Sequence, residues 1–170
     1  MRPAAETMKQ VSHELGGKSP NVVFADADLG AAVRGAITGR FYGKGEVCAA
    51  GSRLFVEASI KDEFMEQLTS KAAGMTVGDP NHPKTRLGAI VSKGQHERVL
   101  SYIEAGIEQG ATLRTGGQAA TVDGRGYFIE ATVFDDVKPD MTIAREEIFG
   151  PVLATLAFED LDDAVAQANQ

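Results

Sequence analysis

The feature that most constrains this chain is an alternation. Short apolar runs at Asn21–Phe24 (NVVF), Leu54–Val56 (LFV) and Val152–Phe158 (VLATLAF) are separated by segments of ten or more residues with apolar positions at helical spacing. A short apolar run bounded by Pro, Gly or Asp reads as a buried strand, and a 3.6-residue period reads as a helix with one face in the core. Strands joined through helices of that length pair in parallel, because the helix carries the chain back across the sheet. The expected fold is α/β, with a mostly parallel sheet flanked by helices.

Individual residues set the expected boundaries. Asp28 is placed to cap a helix from Leu29 to about Tyr42, with Leu29, Val33, Ala36, Ile37 and Phe41 as its stripe. Gly43 and Gly45 would end it. Ser59 followed by Asp62 resembles a capping box that opens a helix to about Ala73, with Phe64, Leu68 and Ala72 facing inward. Residues 74–91 contain Gly74, Gly78, Pro80, Pro83 and Gly88 and read as a long irregular loop. Ser92 would cap a helix with Val99, Ile103 and Ile107 on one face and Gly110 as its stop. Thr112–Arg114 reads as a short strand, Gly116–Gly126 as turn-rich, and Tyr127–Phe134 as a further strand. Asp160 begins a last helix that is expected to run to Gln170 without a C-cap. The first residues show little pattern, so residues 1–10 are expected to be a leader, and the uncapped last helix makes residues 11–170 a domain expected to be cut before its natural C-terminus.

Composition narrows the partners. A length of 170 residues fits one domain with a real core. The net charge is −7 and no Lys/Arg cluster occurs, which argues against a nucleic-acid partner. One cysteine excludes an internal disulfide and suits a reducing compartment. No signal-peptide pattern is present, and no apolar run approaches the roughly 18 residues of a membrane span. The expected location is the cytoplasm, away from membranes.

The only cysteine lies in Gly45–Arg53, GEVCAAGSR. A lone cysteine is most often a buried small hydrophobe. Here glycines on both sides allow a sharp turn, Lys44 and Arg53 stand near, and the position is a helix-to-strand junction. Two further stretches add chemistry. Glu14–Pro20, ELGGKSP, reads either as a solvated loop or as a carboxylate on a flexible backbone, able to act as a general base. Arg145–Val152, REEIFGPV, reads either as a charged helix end before a Gly-Pro turn or as a carboxylate and an aromatic offered to a ligand with hydroxyls and a flat ring. His82 and His96 show no metal-ligand spacing, so no metal site is expected.

Taken together, ELGGKSP, GEVCAAGSR and EEIFGP resemble the glutamate, cysteine and cofactor-side motifs of the aldehyde dehydrogenase superfamily. The linking text VGDP, LGAIVS and GYFIEATVF falls in the matching order, and the resemblance covers residues from about 7 to 170. It implies a catalytic-domain-like fold, incomplete at both ends, and NAD(P)-dependent oxidation of an aldehyde to a carboxylic acid. Cys48 would be the nucleophile, forming a thiohemiacetal and then a thioester, with its backbone N–H at the oxyanion. Glu14 would activate the water that hydrolyses the thioester. Glu147 would accept hydrogen bonds from the nicotinamide ribose, with Phe149 packed beside it. Leu15 would meet the carboxamide, Gly16 and Gly17 would allow close approach, and Gln95 falls near a cofactor-contacting position. The cofactor is NAD or NADP, the substrate a small aldehyde, and the family usually forms dimers or tetramers.

The pattern is departed from at Gly43, Glu46 and His13. The family often has asparagine five residues before the cysteine, glutamine two residues before it, and an apolar residue before the glutamate. A carboxylate at Glu46 would oppose thiolate formation by like charge. His13 reads as a surface histidine, and Arg53 as a support for the loop rather than a substrate contact. Two other functions stand beside the dehydrogenase: a cofactor-independent thiol esterase using Cys48 and Glu14, and a fragment without turnover that only folds or associates.

Overall fold

The computed structural model describes residues 2–170. In chain order the strands are β1 (Pro20–Val23), β2 (Arg53–Glu57), β3 (Thr112–Thr115), β4 (Ala119–Val122), β5 (Arg125–Ile129), β6 (Thr132–Asp135) and β7 (Val152–Phe158). The α-helices are α1 (Arg2–Ala5), α2 (Leu29–Phe41), α3 (Lys61–Ala73), α4 (Lys93–Glu108), α5 (Thr142–Arg145) and α6 (Leu161–Ala168). Five strands form one sheet in the order β1-β2-β7-β6-β3, and β4 and β5 form a separate hairpin. Within the large sheet only the β3–β6 pair is antiparallel.

Helices cover both faces of this sheet, and the strands bury residues on both. Leu54 and Val56 pack with Val33 and Phe41 of α2 and with Phe64 and Leu68 of α3. Phe55, between them, packs on the opposite side with Val99 and Ile103 of α4. All three β2 residues are fully buried. Burying each is worth about 1.5–3 kcal/mol, which is why a central parallel strand reads as an unbroken apolar run.

The caps at three helix starts follow the sequence. Asp28 accepts from the Ala31 N–H at 2.7 Å, Ser92 from Gln95 at 3.2 Å, and Asp160 from Asp163 at 2.9 Å. Gly43 and Gly45, at φ +58° and +71°, turn the chain out of α2, and Lys44 between them also has positive φ.

Other boundaries differ from expectation. Ser59 is no N-cap: it lies in a 3-10 turn, Ala58–Ile60, and its hydroxyl donates to Glu57 at 3.0 Å. The turn runs directly into α3, so the first helical N–H bonds backbone instead of a side chain. Ile107 is half exposed, and Gly106 takes the buried position, because a Cβ there would stand 3.0 Å from Ile143. The single strand expected over Tyr127–Phe134 is two. β5 pairs with β4 through an Asp123-Gly124 turn in which both residues have positive φ, and β6 then enters the main sheet. An Asp-Gly pair is the sequence signal of such a hairpin. The last helix ends at Ala168, where the Asn169 backbone and side chain both bond the Val165 carbonyl.

Candidate active site

Three adjacent parallel strands bring the three motifs together. ELGGKSP leads into β1, GEVCAAGSR leads into β2, and EEIFGP leads into β7. Since β1, β2 and β7 are neighbours running the same way, the segments before them converge on one edge of the sheet. This is the N-terminal edge. Ligands of open α/β sheets are usually sought at the carboxyl ends of the strands, so a topological rule alone points to the wrong side.

The cysteine loop is held by short backbone bonds. Ala50 N–H bonds the Val47 carbonyl at 3.1 Å and Gly51 N–H bonds the Gly39 carbonyl of α2 at 3.2 Å. Cys48 is exposed on this loop. Glu46 is committed elsewhere. It pairs with Lys44 at 2.7 Å, accepts the Val91 N–H at 3.1 Å, and its side chain is 7% exposed. The like charge expected to oppose a thiolate is therefore offset by an ammonium, which in turn is spent on Glu46 and not on the sulfur.

One buried and one half-buried guanidinium group, Arg40 and Arg53, tie the motifs to one another. Arg40, at the end of α2, donates to the Gly150 carbonyl. Arg53 donates to the Lys18 carbonyl from Nε and Nη2 at 3.0 and 2.7 Å, and to the Ala168 carbonyl at 2.9 Å. It supports the loop, as its position before β2 implies. Burial lowers the Arg40 pKa to about 10, against the pull of Glu147, so the group stays charged at neutral pH. Glycines permit the closest approaches. A Cβ at Gly45 would overlap the Gly150 carbonyl oxygen, and a Cβ at Gly16 would overlap Glu147 Oε2 and stand 2.7 Å from its carboxyl carbon.

Phe149 has φ +55°, an uncommon backbone for an aromatic. The strain of about 1–3 kcal/mol is held in place by its surroundings. Gln95 donates to the Ile148 and Phe149 carbonyls at 3.0 and 2.9 Å. Arg98 on α4 reaches the Tyr102 hydroxyl at 3.3 Å, and that hydroxyl donates to Glu146 at 2.8 Å. Glu147 Oε1 is buried and has no hydrogen-bond partner among the described residues. An acceptor oriented by its neighbours but unpaired suits a ligand that brings hydroxyl donors.

The result is one cleft of about 620 Å³. Its walls include Glu14, Leu15, Gly16, Cys48, Gln95, Glu147 and Phe149, with Glu46, Val47 and Arg98 beside them. These first seven are residues given a catalytic or cofactor-side role in the sequence, whereas Gly17, named beside Gly16, does not line the cleft. Among the described residues no three His, Cys, Asp or Glu side chains are grouped as metal ligands. His96 is bonded to the Phe128 carbonyl at 3.1 Å, and His13 is exposed.

The model of the aldehyde dehydrogenase family matches residues 1–170. The chain belongs to the aldehyde dehydrogenase family. It is 52% identical over 167 residues to a betaine aldehyde dehydrogenase of Rhizobium leguminosarum, covering 98% of this chain and 34% of that one. An aldehyde dehydrogenase from Bacillus cereus, solved as an NAD+ complex, superposes with a TM-score of 0.94 at 45% identity, covering 99% of this chain and 34% of its own. An NAD-dependent aldehyde dehydrogenase from Sinorhizobium meliloti superposes equally well at 48% identity, covering 99% and 33%. The chain thus spans about a third of the length of the relatives it matches.

The aldehyde dehydrogenase motifs led to the cleft but not to everything that builds it. Arg40, Arg98 and Lys18 were missed. For Arg40 a signal existed: it falls one turn beyond Ala36 on the buried face of α2, a charge on an apolar stripe. For Arg98 no sequence signal separates it from an ordinary solvated helix residue.

Proposed function

We propose that this chain carries the thiol, the base and the nicotinamide-side contacts of an NAD(P)-dependent aldehyde dehydrogenase. The observation that carries the reading is the convergence of Cys48, Glu14, Glu147 and Phe149, distant in sequence, on one cleft. Cys48 Sγ, as the thiolate, attacks the aldehyde carbonyl and forms the C–S bond of a thiohemiacetal. The carbonyl oxygen gains charge as this bond forms, and the Cys48 N–H would donate to it. Loss of hydride from the carbon leaves the thioester on Cys48. NAD or NADP supplies the acceptor for that hydride when bound. Glu14, exposed at the mouth, removes a proton from water, which adds to the thioester and releases the carboxylic acid and the thiol.

Glu147 and Phe149 would hold the nicotinamide ribose and ring, with Leu15 and Gly16 along the same wall. The unpaired Oε1 of Glu147 suits a ribose hydroxyl donor, and the missing Cβ of Gly16 leaves the space that Glu147 Oε2 fills. Gln95 lines the same side and fixes the carbonyls around Phe149. The substrate class is a small aldehyde. Relatives named betaine aldehyde dehydrogenase make a quaternary-ammonium aldehyde the first to test. A cytoplasmic homo-oligomer completes this reading. Among the described residues no helix is long and apolar enough to cross a membrane.

The test exchanges this chain for the matching third of a full-length relative and follows aldehyde-dependent NADH formation. C48S abolishes it. E14Q leaves a single burst of NADH equal to the enzyme present, then stalls at the thioester. Undiminished steady turnover in C48S or in E14Q removes the proposed mechanism. Exposure of Cys48 beside Glu14 also supports slow ester cleavage by the 170-residue chain without nucleotide. Nitrophenyl acetate hydrolysis lost in C48S measures that activity.

A further inference from the structure

We propose that Arg40 is a positioning residue that sets the cofactor-side wall of the cleft, Glu147 to Gly150, against the cysteine loop. The inference rests on the reading of Cys48 as the thiol and of Glu147 and Phe149 as cofactor contacts. No step above uses Arg40. It is 2% exposed and shares the buried face of α2 with Val33, Ala36 and Phe41. Its Nε is buried and finds no acceptor among the described residues. A guanidinium buried with an incomplete set of hydrogen bonds is a poor stabiliser beside an apolar side chain of similar volume. What it adds here is a directed donor, aimed at the Gly150 carbonyl.

That carbonyl is the last of three in a row held by side chains. Gln95, on α4, donates to the Ile148 and Phe149 carbonyls at 3.0 and 2.9 Å, which fixes the peptide planes on both sides of Phe149. Arg40, on α2, donates to the Gly150 carbonyl that follows. Helices α2 and α4 pack on opposite faces of the sheet. The wall is therefore gripped from both layers. The Gly150 carbonyl also accepts the Val152 N–H at 2.7 Å, but that bond lies within the segment and cannot locate it against the rest of the fold. From the α4 side, a Cβ at Gly150 would overlap the Val99 side chain.

Arg40 also stands at the root of the cysteine loop. A Cβ at Gly45 would overlap the Gly150 carbonyl oxygen and stand 3.1 Å from the Arg40 carbonyl oxygen. One residue thus meets both sides of the cleft's floor, with its guanidinium on Gly150 and its own backbone beside Gly45. Cys48 follows Gly45 by three residues, and Phe149 directly precedes Gly150. Groups that pass a hydride must meet at near-contact distance, and a displacement of about 1 Å can cost about a hundredfold in rate. Apolar packing is non-directional and would let the wall slide along the loop, whereas a hydrogen bond from a fixed donor does not.

The experiment reads the wall first and the reaction second. Gly-Pro occurs once in the chain, at Gly150-Pro151. Labelling glycine with 13C at the carbonyl and proline with 15N therefore gives one coupled carbonyl signal in the 170-residue chain. In R40M, which keeps much of the side-chain volume, that signal moves upfield, as for a carbonyl that has lost a donor. R40K keeps the charge without the planar fork and moves it less. In the chimeric enzyme, R40M lowers aldehyde-dependent NADH formation per folded molecule by about ten- to a hundredfold, and R40K by less. Circular dichroism gives the folded fraction. A carbonyl signal unmoved in both variants overturns the proposal. Activity that falls only in proportion to the folded fraction marks a merely structural arginine and also overturns it. R40K equal to wild type in both readouts would make charge alone sufficient, with the same result. Should R40M not fold, R40K carries both measurements. The carbonyl readout needs no cofactor or turnover, so its failure removes the proposal alone, whereas a wild-type chimera that forms no NADH removes the dehydrogenase reading.

Discussion

Replacing Gly45 by alanine tests whether the cysteine loop and the Glu147 segment are joined rigidly. Gly45 has φ +71°, a backbone that costs an L-residue about 1–2 kcal/mol. The added Cβ would overlap the Gly150 carbonyl oxygen and stand 2.8 Å from its carbon and 3.1 Å from the Arg40 carbonyl oxygen. These are backbone atoms, and the Gly150 carbonyl is held by the Arg40 guanidinium. Overpacking against atoms that cannot move aside adds about 1–3 kcal/mol. The expected loss is about 3 kcal/mol, or about 6–12 °C in Tm for a chain of this size. Gly110 supplies the control. It has φ +90°, but a Cβ added there would meet nothing within 4 Å, so G110A carries the conformational cost alone. Its expected loss is about 1 kcal/mol, or about 2–4 °C. Thermal denaturation of both variants, followed by circular dichroism, isolates the contact as the difference between them. Equal losses would refute the argument, because the Gly45–Gly150 approach would then be yielding rather than a joint.

The remaining expectations concern the supports of the cleft and one charge pair away from it. R53A removes the bonds to the Lys18 and Ala168 carbonyls, so amide hydrogen exchange accelerates in residues 14–20 and in α6, with a loss of about 1–3 kcal/mol. K61M leaves the Asp135 carboxylate, whose side chain is 5% exposed, with Arg114 at 3.6 Å and the Asp136 N–H at 2.8 Å, and costs about 2–4 kcal/mol at neutral pH by urea denaturation. The Lys61 ammonium holds the Asp136 carboxyl below its ordinary value. A depressed carboxyl stabilises above its unfolded pKa and loses that contribution as pH falls through its folded one, so wild-type stability drops below about pH 4, and less so in K61M. Iodoacetamide modifies Cys48 in the folded chain at a rate comparable to the denatured chain, since the side chain is exposed. Reaction only after denaturation would remove Cys48 as an accessible nucleophile.

Local signals read well where local physics decides. Asp28, Ser92 and Asp160 act as caps because a short side-chain acceptor before a helix satisfies an N–H whatever the tertiary context. Ser59 failed by the same reasoning, because a preceding 3-10 turn already met that need with backbone. The division of Tyr127–Phe134 into two strands was locally hidden. Both halves have strand propensity, and only their different partners, β4 and β7, separate them.

By itself the sequence determined the α/β class, through apolar runs at strand length between amphipathic helices, and the chemistry available, through one thiol and the carboxylates of three motifs. It could also show membership of the aldehyde dehydrogenase family, since the motifs keep their order. Only the tertiary structure decided where that chemistry meets. Strand order β1-β2-β7 sets residues 14, 48 and 147 on one sheet edge, although more than a hundred residues separate the first from the last. The burial of Arg40 and Lys18, and the pairing of Glu46 with Lys44, likewise follow from neighbours brought in across the fold. Side-chain type is local, but burial and charge environment depend on what long-range packing places around it.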